Sequence, residues 1–220
     1  MDQIYDEKNF LTWIKLNTKE LSDSISDDPN ASIPSGAQRI ISANKTIDKW
    51  STYIYKDPHY VSNLYMDNFI DSSNMFYCYA HNPNNGKEFL VGVAIITPPI
   101  HKGNRADIDY ILVDPRKQNQ GYATRMIASI SQNPEFFAKR GHKAGFISTI
   151  REDNIPAIMS HINNDYDMTN KYTINSKINS QNESKTYSIN GVEQRPKTLP
   201  TYVQMFNNPT QDENNSTPEK

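Results

Sequence analysis

The chain has 220 residues, 36% of them hydrophobic and 22% charged, with a formal net charge of −2. That length accommodates one sizeable core and not two large ones, and a near-neutral chain without a Lys/Arg cluster is unsuited to phosphate-backbone partners such as nucleic acid. No run approaches the roughly 18 apolar residues of a membrane span, and Met1-Asp2-Gln3 does not open a basic-then-apolar leader, so the sequence predicts a cytoplasmic protein without membrane anchor or export signal.

Phe10, Leu11, Ile14 and Leu21 fall at helical spacing within residues 7–21, and Ile40, Ile41, Asn44 and Ile47 do so within 37–50, which predicts two amphipathic helices. Between them, Asp27 to Gly36 carries Pro29, Pro34 and Gly36 among small polar residues and reads as a loop. A further helix is predicted over about 58–70. The period then changes. Met75 to Tyr79, Glu88 to Thr97 and Ala106 to Val113 are short and rich in β-branched and aromatic residues, and turn signals at Asn82 to Gly86 and Pro98 to Asn104 separate them, so they read as strands.

Helical spacing returns at Tyr122, Met126, Ile127 and Ile130, stops before Pro134, and gives way to another apolar run at Ala144 to Ile150. A later helix starts near Asp153 or Asn154, either of which can cap it, with Pro156 in its first turn. Its aligned Ile155, Ile158, Met159 and Ile162 are predicted to pack on the sheet. Tyr172 to Ile178, Lys185 to Ile189 and Tyr202 to Phe206 read as strands, and the polar stretch from Asn207 to Lys220, which has no apolar anchor, as a disordered tail. Cys78 is the only cysteine, set in an apolar run as a buried thiol or, alternatively, a nucleophile. His59, His81, His101, His142 and His161 are scattered without ligand spacing, so no metal is expected.

The chemistry concentrates at Ile111-Leu112-Val113-Asp114-Pro115-Arg116-Lys117-Gln118-Asn119-Gln120-Gly121-Tyr122-Ala123-Thr124, where a strand ends and a glycine-containing loop opens into a helix. Backbone N–H groups at such a helix start, together with the helix dipole, bind an anion without a basic side chain. Gly121 permits close backbone approach, Ala123 is the next smallest choice, and Gln118 adds an amide donor.

With its flanks this stretch resembles the GNAT superfamily of N-acetyltransferases, whose signature is Gln or Arg, two residues, Gly, one residue, Gly or Ala, after a strand ending Val-x-Pro. Gln118, Gly121 and Ala123 match the signature, and Val113 and Pro115 match the strand end. Downstream, Asn154 and Ala157 match the family's Asn-x-x-Ala. Ser160, His161, Asp165 and Tyr166 depart from the Leu, Tyr, Gly and Phe that follow in the pattern. The resemblance covers roughly residues 75–166.

It implies an α+β (α/β) fold, a central mixed, mostly antiparallel twisted sheet flanked by helices, splayed after the fourth strand, which is Ala106 to Val113. It implies one domain over 1–206, divided into N-terminal helices (1–70), sheet and cofactor site (75–166) and C-terminal strands (167–206), with 207–220 as tail. It further implies that acetyl-CoA is co-substrate, that Ile111, Leu112 and Val113 pair with its pantetheine arm, that Gln118, Asn119, Gln120, Gly121, Tyr122, Ala123 and Thr124 surround its pyrophosphate, and that Asn154 lies along it.

Direct acyl transfer to an amine needs a base for the amine proton and an acid for the leaving thiolate. Period-2 alternation sets Asp107, Asp109, Ile111 and Val113 on one face, and Asp109 stands where many members of the family place a carboxylate base; Asp107 is second choice. His161, in the place of the family's Tyr, is the candidate acid, with Tyr166 its rival. The expected activity is N-acetylation of a primary amine on a small molecule, peptide or protein by a monomer or homodimer. The alternative is a CoA-binding or protein-interaction module without turnover.

Overall fold

A computed structural model of the chain describes residues 2–16, 35–57, 61, 74–82, 84–99, 105–138, 145–173, 188–189, 192–193 and 201–207. The chain opens as a hairpin, β1 (Gln3–Asp6) and β2 (Leu11–Lys15), where sequence spacing predicts a helix. The reason is burial on both sides. Leu11 and Trp13 enter one core and Ile14 the other, whereas Phe10, at φ 53 in the turn, is exposed. The Asp6 carboxylate closes that turn by accepting the Asn9 backbone N–H at 3.1 Å and its side-chain amide at 2.8 Å.

Helix α1 (Ser35–Tyr55) runs longer than predicted, with Ile40, Ala43, Ile47 and Trp50 on its buried stripe. It stops at Lys56, which sits in the left-handed region at φ 60. The loop predicted over Asp27 to Gly36, except Ser35 and Gly36 at the start of α1, and the helix predicted over 58–70, except Val61, lie outside the described residues.

Strands β3 (Asn74–His81), β4 (Glu88–Thr97) and β5 (Ala106–Val113) follow as an antiparallel meander. A turn of 3₁₀ helix at Pro115–Lys117 leads to α2 (Tyr122–Gln132) and the short α3 (Pro134–Ala138). Then come β6 (Phe146–Arg151), α4 (Ile155–Ile162) and β7 (Asp167–Thr173), a two-residue pair β8 (Ser188–Ile189) and β9 (Val192–Glu193), and β10 (Thr201–Phe206). Tail residues 208–220 lie outside the described set.

The main sheet has eight strands in the order β1-β2-β3-β4-β5-β6-β10-β7, every pair antiparallel except β5 with β6. That parallel pair is joined only at Ala106 with Phe146 and Asp107 with Ile147, after which the two strands separate. This is the expected splay. It follows the predicted segment, which is the fifth strand here because the two strands of the N-terminal hairpin precede the three predicted over residues 75–113. One face of the sheet packs on α2, α3 and α4 through residues such as Phe76, Ala94, Met126 and Phe137, and the other packs on α1 through Tyr77, Val93 and Ile95.

Two sequence expectations fail locally. The predicted apolar face of α4 does not all pack on the sheet: Ile158 is buried, but Ile155, Met159 and Ile162 are exposed. The helix is short and turns Ile158, Ser160 and His161 inward, so the i, i+4, i+7 stripe is left outside. In β5 the register steps from Ile95 opposite Tyr110 to Ile96 opposite Ile108, making Asp109 the extra residue of a bulge. Alternation is therefore broken: Ala106, Ile108, Ile111 and Val113 share the α2 side, while Tyr110 and Leu112 join the α1 side. Ile111 and Val113 do not lie on the face of Asp107.

Candidate active site

The site is built where β5 ends. Asp114 is buried, its N–H donating to Val91 O at 2.8 Å, and its carboxylate accepts the Arg116 backbone N–H at 3.0 Å and the Arg116 guanidinium at 3.1 and 2.9 Å. Burial works to raise this carboxyl, but the Arg116 hydrogen bonds and charge outweigh it and hold it below the usual carboxylate range. The chain is thereby turned into the loop 118–121, where Asn119 (φ 61) and Gly121 (φ 77) adopt left-handed backbone. Asn tolerates that conformation, and Gly takes it freely.

Helix α2 begins directly after Gly121. Its first intrahelical bond runs from Arg125 N–H to Gly121 O at 3.0 Å, so the N–H groups of Tyr122, Ala123 and Thr124 have no acceptor within the helix. A Cβ built on Gly121 would meet nothing within 4 Å. Open space therefore lies above the glycine, and helix N–H groups border it.

That space belongs to a cleft of about 530 Å³. One wall is Ile111, Leu112 and Val113 of β5; its floor is Lys117, Gln118, Asn119 and Gly121 to Thr124; the opposite wall is Asn154, Pro156, Ala157, Ser160 and His161. Ile54 and Tyr55, from the last turn of α1, complete it. The helices bordering the cleft are cross-tied: Asn164 Nδ2 donates to Thr124 O and Ser160 O, and Thr124 Oγ1 donates to Ser160 Oγ. Asn154 caps α4, its side-chain oxygen accepting the Ala157 N–H at 3.4 Å. A shallower depression of about 390 Å³ beside the first turns of α1, lined by residues that include Ser35, Arg39, Tyr79 and Leu90, shares no residue with this cleft.

Every residue that sequence reasoning assigned to the cofactor lines this cleft except Gln120, whose amide folds back to donate to Arg116 O at 3.2 Å. Lys117, Ile127, Pro156 and Ser160 also line it. Lys117, Pro156 and Ser160 lie in the segments the motifs marked and Ile127 lies one turn beyond, so sequence adjacency alone could have flagged them. Ile54 and Tyr55 lie outside those segments, and their approach to β5 is tertiary.

The catalytic candidates separate. His161 lines the cleft, but it is buried and both ring nitrogens are engaged. Nδ1 must carry the proton, since its partner at 2.8 Å is the carbonyl of Ala157, which leaves Nε2 as acceptor of the Ser148 hydroxyl at 2.9 Å. Burial, opposed by the Ala157 bond, lowers its pKa. Tyr166 packs edge-on against His161 and bonds Ser131, and burial raises its phenol strongly. Asp109 does not line the cleft. It stands on the bulge, where Thr97 Oγ1 donates to its carboxylate at 2.6 Å. Its side chain is open to solvent, yet the protein packed behind it, with a contribution from the Asp107 charge, pushes the carboxyl up to about 6. Cys78 is fully buried, and burial drives its thiol far above the range of a nucleophile.

Against known protein families, the model described as "Acetyltransferase (GNAT) family" matches residues 44–161, more than half of the chain. The chain belongs to the GNAT acetyltransferase family. The match runs from within α1 to His161 and so contains every residue that lines the cleft described above. No curated protein sequence matches this GNAT chain. Among solved structures it is similar to spermidine N-acetyltransferase from Vibrio cholerae in complex with CoA and spermine, at 12% identity and TM-score 0.49, over 91% of this chain and 96% of that one. It is also similar to a GNAT family acetyltransferase from Elizabethkingia anophelis with acetyl-CoA bound (10% identity, TM-score 0.47, 90% and 97%). A third is a Bacillus subtilis acetyltransferase in complex with CoA (11%, TM-score 0.43, 64% and 80%).

Proposed function

We propose that this GNAT protein moves an acetyl group from acetyl-CoA directly to a primary amine of a small molecule, peptide or protein, in the cytoplasm and as a monomer or homodimer. The observation that carries the reading is the set of N–H groups without an acceptor in the helix at the start of α2, opening into a cleft walled by β5 and α4. In this reading the loop 118–124 holds the pyrophosphate, with Lys117 adding positive charge, and the backbone of Ile111 to Val113 pairs with the pantetheine arm. Asn154, at the far wall, lies along the same molecule.

Transfer forms a C–N bond, breaks the thioester C–S bond, and moves one proton from the amine to solvent or base and another to the thiolate. Asp109 is the proposed base, acting through water because it stands outside the cleft lining, and ionised above a pH of about 6. His161 is the proposed partner on the leaving-group side. To donate from Nε2 it must first gain a proton there, with Ser148 switching to donate toward Ile108 O. That requirement favours one competing reading, a CoA-binding module with little turnover, because His161 as it stands carries no proton at Nε2 to give a thiolate.

The test is thermal unfolding with acetyl-CoA, alongside Gly121→Glu, with free thiol followed as amines are added. Saturation at roughly 100 times Kd should add about 2.7 kcal/mol, or about 5–10 °C, and Gly121→Glu should lose it. No shift in the wild type overturns the reading; a shift without thiol release across an amine panel leaves the binding module.

A further inference from the structure

Resting on the acyl-CoA reading above, we infer that Tyr55 and Tyr110 act as a pair that closes the acyl end of the cleft and limits the length of acyl group accepted. The direction of the cleft is set by its ends. The anion-binding end is the start of α2, and the β5 wall runs from Val113 back to Ile111, away from it. The next residue, Tyr110, leaves the wall and its phenol hydrogen-bonds the phenol of Tyr55, which does line the cleft.

The bulge is what makes this possible. Unbroken alternation from Ala106 and Ile108 would turn Tyr110 toward α2; the extra residue at Asp109 turns it to the α1 side, where it packs with the second core cluster. Tyr55 is the last residue of α1, at the surface, just before the left-handed Lys56. Its neighbour Ile54 packs against the core. Its ring is therefore held over the cleft by the helix end on one side and the Tyr110 bond on the other. An acyl chain extending past Ile111 meets two aromatic rings rather than solvent.

The experiment measures dissociation constants of CoA, acetyl-CoA, propionyl-CoA and butyryl-CoA by calorimetry for the wild type, Tyr55→Ala and Tyr110→Phe. Both variants are checked for wild-type far-UV circular dichroism, and Tyr110→Phe keeps the packed ring while removing the bond. In the wild type, affinity should fall from acetyl to butyryl. In Tyr55→Ala the butyryl-to-acetyl affinity ratio should rise about tenfold, the scale on which an apolar pocket discriminates a methylene. Tyr110→Phe should move it in the same direction by less, with affinity for CoA itself as the reference for each variant. An unchanged ratio in folded Tyr55→Ala overturns the inference alone. Failure of the wild type to bind acetyl-CoA at all overturns the acyl-CoA reading and the inference with it.

Discussion

Gly92 lies in β4 with Cys78 opposite it on β3 and Val113 opposite it on β5, beside the strand that walls the cleft. A Cβ at this position would stand 2.5 Å from the carbonyl oxygen of Leu112 and 2.8 and 2.9 Å from Sδ and Cε of Met126. The methionine end can rotate away, but the Leu112 carbonyl is backbone of a paired central strand and can move only if β5 moves. Gly92→Ala should therefore cost about 1–3 kcal/mol, the usual range for overpacking. At 2–4 °C per kcal/mol for a chain of this size, the melting temperature should fall by roughly 2–12 °C. Leu112 and the α2 residue Met126 move with the cleft, so acetyl-CoA affinity should fall too. Gly86 provides the contrast: it has φ +65 and open space around it. Gly86→Asn should be tolerated, since Asn accepts left-handed backbone, and Gly92→Asn should not. Thermal unfolding followed by circular dichroism, with calorimetric titration of acetyl-CoA, measures both effects. A Gly92→Ala protein that melts within about 1 °C of wild type would refute the argument that this glycine fixes the β4–β5 spacing.

Two carboxylates give opposite pH behaviour. Asp109, raised to about 6, should produce a kcat/KM that climbs with pH through that value, and Asp109→Asn should lower the rate and remove the limb. Because its folded pKa exceeds 3.8, the wild type loses stability as pH rises from about 4 to 6; Asp109→Asn should be the more stable protein at pH 8 and equal to wild type near pH 3, by less than about 1 kcal/mol given its solvent exposure. Asp114 has a depressed pKa, so its contribution is complete above about pH 4 and fades as pH falls through the folded value. Asp114→Ala should cost about 1–3 kcal/mol in urea unfolding at pH 7 and much less near pH 2.

The central elements were legible because local signals agreed there. Glu88 to Thr97 and Ala106 to Val113 are long β-branched runs bounded by turns, and both strands begin and end at those residues. The loop that opens into α2 and the Asn154 cap were readable locally, since each is formed by a few consecutive residues. The hairpin at the start was misread because Leu11 to Lys15, buried on both faces of a sheet, also satisfies helical spacing over so short a window. The outward Ile155, Met159 and Ile162 stripe on α4 misled for the opposite reason, as apolar periodicity reports which residues share a face and not which way that face points. The bulge at Asp109 has no local signature, and it alone decides that Tyr110 meets α1.

The last described strand, β10, is an interior one: it lies between β6 and β7, and among the described residues β7 pairs with nothing else. Residues 174–200 are synthesised between β7 and the partner it needs. A nascent chain that has emerged only to Thr173 thus presents β6 with one edge unfilled and β7 with no ladder at all, while the loop 118–121 and α2 are already complete. Such open edges are where chains pair wrongly with one another. Translation stopped before Thr201 should yield a protein that has its 118–121 loop and α2 and still collects in inclusion bodies, β10 being the clasp that fills both open edges.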